Sequence, residues 1–86
     1  MEDSDFYERL QSELADRIVF LINTDMDKLL QALYRIDVND RETDRAFALG
    51  EIKAVGLKLA DLVLRRQLQK LEYSMAFAAK EKKGKD

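Results

Sequence analysis

Phe6, Leu10, Leu14, Ile18 and Leu21 recur every three or four residues, which is the spacing of one helix face. Asp5 stands three residues before Glu8, a capping box with Asp in place of Ser or Thr, so the pattern predicts a first helix over about 5–22, closed by Asn23. Val19, Phe20 and Ile22 widen its apolar face near the C-terminal end, where more neighbours are needed to cover it. Met26, Leu29, Leu30, Leu33 and Ile36 form the next stripe, and Thr24 with Asp27 repeats a weaker box, predicting a second helix over about 25–36. A connection of two or three residues favours an antiparallel hairpin of these two helices.

The polar stretch "LYRIDVNDRE" at 33–42 then interrupts the pattern. Asp37, Asn39 and Asp40 have short side chains that accept hydrogen bonds from free backbone N–H groups, and Asn39 precedes Glu42 by the box spacing, so the stretch reads as punctuation between helices. A calcium loop is the competing interpretation. Asp37 and Asn39 suit its first and third positions, but Arg41 falls at the fifth and Glu42 at the sixth, where glycine is required. "RETDRAFAL" predicts a short third helix over about 40–49 that buries Ala46, Phe47 and Leu49, with Gly50 as a left-handed stop. If Gly50 stays helical, the third and fourth helices fuse into one rod, at a glycine cost of about 1 kcal/mol.

A long last helix is predicted over about 51–79, with Ile52, Val55, Leu59, Leu62 and Val63 along one side. A second line contains Leu57, Leu64, Leu68, Leu71, Met75 and Ala78, and its steps alternate between four and three from Leu64 onward, as in a coiled-coil seam. Two stripes need two partners. A helix of about 40 Å outreaches the first two, so a second copy is expected to cover Leu64, Leu68, Leu71 and Met75, with Tyr73 and Phe77 nearby. Gly56 and Ala60, four apart, suggest close approach of a neighbouring helix rather than a ligand groove. "KEKKGKD" has no apolar anchor, so residues 1–79 are expected to form one domain and 80–86 a disordered lysine-rich tail.

Composition supports this all-α architecture: a small bundle of three long helices and one short one. At 47% hydrophobic and 37% charged residues, with no proline and three glycines, the chain suits long helices and is too apolar for disorder. Eighty-six residues fit one domain with a modest core. Without cysteine there is no disulfide or thiolate zinc site to staple it, which leaves packing or self-association. The acidic N-terminus is unlike a signal peptide, and the longest wholly apolar run, "IVFLI" at 18–22, is far short of a membrane span, so a cytoplasmic location is expected.

Charge is unevenly distributed. Residues 1–45 carry twelve acidic and six basic side chains, whereas 46–86 carry five and nine. The simpler explanation is attraction between helices from the two halves; the sharper one is a basic edge of Lys53, Lys58, Arg65, Arg66, Lys70 and the tail lysines that touches nucleic-acid phosphates. The pI near 5.2 and the absence of zinc, homeodomain or RNA-recognition motifs weigh against the second explanation.

Histidine, the commonest acid–base residue at neutral pH, is absent, and the serines and threonines have no activating partner. A di-iron bundle site needs Glu-x-x-His, and Glu13 with Asp16 is a spacing expected by chance in so acidic a helix. No catalytic residue, metal ligand or cofactor is therefore expected. The expectation is a noncatalytic helical interaction or structural module, homodimeric, with an unidentified protein partner and no membrane association. The alternative is a nonspecific nucleic-acid accessory protein.

The blocks "DMDKLLQALYRIDV" at 25–38 and "LADLVLRRQLQKLE" at 59–72 resemble those of small bacterial helical proteins of unknown function. The resemblance covers about a third of the chain. It implies an all-helical fold and a bacterial, cytoplasmic origin, and brings no catalytic or binding residue with it.

Overall fold

The computed structural model describes the backbone of residues 2–84 and the side chains of residues 5–76. It comprises four helices: α1 (Glu2–Thr24), α2 (Met26–Ile36), α3 (Asp40–Ala48) and α4 (Ile52–Gly84). They are 23, 11, 9 and 33 residues long. The molecule measures 53 × 32 × 19 Å, and its long dimension matches the roughly 50 Å expected of a 33-residue helix.

The chain changes direction at three turns, each with its own chemistry. Between α1 and α2 a single residue suffices. Asp25, not Thr24, is the N-cap, and its carboxylate accepts the Lys28 N–H at 3.1 Å. The Thr24 hydroxyl instead donates back to the Phe20 carbonyl at 2.7 Å, which keeps Thr24 in α1.

Between α2 and α3, Asp37 adopts the left-handed conformation (φ 66°). Its N–H donates to the Leu33 and Tyr34 carbonyls, and the Val38 N–H reaches the Leu33 carbonyl at 3.3 Å, so the end of α2 is closed by its own backbone. Val38 and Leu33 are both buried, the apolar contact that accompanies such a cap. Asn39 then caps α3, its Oδ1 accepting the N–H groups of Arg41 (2.9 Å) and Glu42 (3.2 Å). At the third turn Gly50 is left-handed (φ 83°), so α3 and α4 are separate helices.

α1 lies along the first half of α4, running in the opposite direction. Tyr7 meets Asp61, Gln11 donates to the Leu57 carbonyl, and Ala15 and Val19 face Gly56. This pairing is more extensive than the one between α1 and α2, so α1's chief partner is α4 rather than the expected hairpin neighbour. The approach is close because Gly56 has no side chain. A Cβ there would stand 2.7 Å from Val19 Cγ2 and 3.2 Å from the Ala15 carbonyl oxygen.

The core gathers Ala15 and Ile18 of α1, Leu29 and Leu33 of α2, Val38, Ala46 of α3, and Val55, Leu59, Ala60, Leu62 and Val63 of α4. Every one of these precedes residue 64. The predicted α1 stripe is thus only partly the buried one: Ile18 is buried, Leu14 and Leu21 are half-buried, and Phe6 and Leu10 face out. Phe20, expected to be covered, is 64% exposed, and Leu49 is also exposed.

α1 begins at Glu2, ahead of the predicted cap, so Asp5 lies inside the helix. Acidic residues in the first turn suit the positive end of the helix dipole. α4 runs to Gly84, past the predicted end at 79, so residues 80–84 of the expected tail continue the helix. Among the described residues, no helix is long and apolar enough to cross a membrane.

Candidate functional site

Beyond the last core residue the cover over α4 thins, and the described side chains from Leu71 to Ala76 are all exposed. Leu68, Leu71 and Met75 are 49%, 56% and 64% exposed, and Leu64 is half-buried where the stripe meets the bundle. Spacings of four, three and four keep these side chains within a narrow sector of the helix surface, at about 100° per residue. The first residues of α1 extend the stripe sideways. Phe6 and Leu10, with Tyr7, Leu64 and Leu68, line a shallow cleft of about 220 Å³.

The edge of this apolar surface is held by one polar cluster. The Tyr7 hydroxyl donates to Asp61 Oδ1 at 2.6 Å, and Arg65 Nε donates to Asp61 Oδ2 at 3.0 Å. Both Asp61 oxygens are therefore engaged. Burial, reinforced by the neighbouring Asp61 carboxylate, raises the Tyr7 phenol above its ordinary range. The Asp61 carboxylate likewise raises the already high pKa of the Arg65 guanidinium.

Tyr73 belongs to a different face. Two residues from both Leu71 and Met75, it lies roughly 200° round the helix from them. It borders a second hollow with Arg66, Gln69, Lys70 and Ser74, and is 76% exposed. Tyr73 thus flanks the stripe of Leu64, Leu68, Leu71 and Met75 from another side of the helix. The side chain of Phe77 lies outside the described residues. Phe6 and Leu10 extend the apolar surface. Their exposure was not evident from the sequence, because their spacing with Leu14 and Ile18 looks like a core stripe.

The proposed basic edge is divided. Arg65 is paired with Asp61, and Arg66 with Asp37 at 3.2 Å and Gln69 at 2.8 Å. Lys58, Arg65 and Arg66 line a groove between the α2–α3 turn and α4, which also contains Asp37, Glu42 and Glu72. Three cations thus share the groove with three carboxylates, a poor setting for phosphate. Lys53 is exposed and does not line this groove, and Lys70 borders the hollow beside Tyr73. The Arg66–Asp37 pair does join the acidic half of the chain to the basic half, as the simpler explanation of the charge asymmetry expects.

Among the described residues, no group of three or more His, Cys, Asp or Glu side chains is placed to hold a metal ion. Glu13 and Asp16 are exposed separately on α1. Fold and surface together define a small all-α chain whose long terminal helix outruns its own bundle and carries an apolar stripe. The chain matches no protein-family model, and no curated protein and no solved structure matches it.

Proposed function

We propose that this chain is a noncatalytic helical interaction module that homodimerises through the C-terminal half of α4. The observation that carries this reading is the run of Leu64, Leu68, Leu71 and Met75, three of them about half exposed or more, continued by exposed Phe6 and Leu10. Burying such a surface against a matching one is favourable at roughly 25 cal/mol per Å² of apolar area. A chain with so modest a core and no covalent staple gains stability from doing so. A cytoplasmic location and a further protein partner belong to the same reading.

Light scattering at micromolar concentration tests it. The expected mass is twice 10.0 kDa, and Leu68→Glu, which puts an unpaired charge in the middle of the stripe, is expected to return it to the monomer value. A wild-type mass of one chain rejects the proposal. The nucleic-acid alternative gains no support from the basic residues, two of which are already bound to carboxylates.

A further inference from the structure

The start of α1 is held differently from the rest of the bundle. Of residues 5–13, only Tyr7 and Gln11 are half-buried, and the others are exposed. Among the described residues, Leu14 is the first α1 side chain packed against the core and Ala15 the first that is buried. What fixes the earlier stretch to α4 is polar. The Tyr7 hydroxyl donates to Asp61 Oδ1 at 2.6 Å, and Gln11 Nε2 donates to the Leu57 carbonyl at 3.0 Å.

Two hydrogen bonds are a weak fastening. Each shifts an opening equilibrium by about fivefold, whereas the rest of α1 is tied down by the burial of Ala15 and Ile18. Once free of α4, so short a stretch at a helix end has little to keep it wound. The acceptor for Tyr7, by contrast, is fixed by α4 itself. The Asp61 side chain is only 16% exposed, and its second oxygen is held by Arg65 of the same helix at 3.0 Å.

We propose that Tyr7 latches residues 5–13 of α1 to α4 as a segment that opens on its own, and that the closed latch assembles the apolar surface. Phe6 precedes Tyr7 and Leu10 follows it by three residues, and both share the cleft with Tyr7, Leu64 and Leu68. Opening carries Phe6 and Leu10 away and leaves the α4 stripe without its second wall. Resting on the dimer reading above, a second copy that touches both walls binds the closed form alone, so association holds the latch shut.

Hydrogen exchange read by mass spectrometry on the full chain tests both steps. In wild type diluted to about 1 μM, the amides of residues 6–13 are expected to exchange at least about tenfold faster than those of 15–24. Tyr7→Phe should speed the whole of 6–13 by about a further fivefold, the worth of one hydrogen bond. Equal protection on the two sides of Leu14 means that α1 opens only with the whole bundle and overturns the proposal. So does a Tyr7→Phe effect that is absent from 8–13, which is fraying of the first turn rather than release of a latch. At about 100 μM, dimer formation should slow 6–13 in wild type by at least about tenfold. Dimers in which 6–13 exchanges no more slowly overturn the coupling, because the second copy then misses Phe6 and Leu10. If wild type scatters as a monomer at both concentrations, the dimer reading fails and the coupling with it, while exchange at about 1 μM still decides the latch.

Discussion

Gly56 and Tyr7 show how single residues set the distance and register of α1 against α4. In an open helix, Gly56→Ala is expected to stabilise by about 1 kcal/mol through helix propensity alone. Here the new methyl meets Val19 Cγ2 at 2.7 Å and the Ala15 carbonyl oxygen at 3.2 Å, and overpacking of this kind costs about 1–3 kcal/mol. The expected outcome is net destabilisation in urea unfolding. Adding Val19→Ala should recover part of the loss, leaving a coupling of about 1 kcal/mol in the double-mutant cycle. Tyr7 is probed by pH. Its folded pKa lies above the ordinary 10.0, so the stability it contributes is complete below pH 10 and lost as pH rises through the folded value. Tyr7→Phe should therefore cost about 1 kcal/mol at neutral pH, the net value of the hydrogen bond to Asp61. The gap between the two proteins, followed by urea unfolding from pH 7 to 11, should narrow only above pH 10.

Among the elements, the third turn separates backbone chemistry from packing most cleanly. A Cβ on Gly50 would meet nothing within 4 Å, so whatever Gly50→Ala costs comes from its left-handed φ of 83°. The expected loss is about 1–2 kcal/mol in thermal or urea unfolding, with Gly50→Asn losing less because asparagine tolerates that region better. Glycine's freedom and the Asn39 cap were both legible in the sequence, as were the four helices. The face of α1 was not. Phe6, Leu10 and Leu14 make the more apolar line, yet the side turned to α4 is Tyr7, Gln11, Ala15 and Ile18. Hydropathy ranks the first line higher, but backbones approach most closely where side chains are smallest, and Ala15 opposite Gly56 decides the rotation of the helix. The same rotation turns Phe6 and Leu10 outward, so half of the candidate surface was hidden by the feature that placed the other half in view.

At the scale of the whole molecule, the core ends where the stripe begins. Among the described residues every buried one lies at or before Val63, while the most C-terminal described side chains, Leu71 to Ala76, are all exposed. A helix of mixed sequence left alone over that length is only marginally stable in water, so a bare second half of α4 draws its order from whatever covers it. If that cover is a second copy, folding and association are linked by mass action, and the apparent stability must depend on protein concentration. Each tenfold increase in concentration adds about 1.4 kcal/mol to the dimer relative to separated chains. The thermal midpoint of the wild type is therefore expected to climb steadily between 1 and 100 μM, roughly a hundredfold range suited to calorimetry or circular dichroism. In Leu68→Glu the midpoint should be lower and independent of concentration, with helicity lost chiefly from the C-terminal half of α4. A wild-type midpoint that stays constant across that range would mean that the stripe meets no second copy.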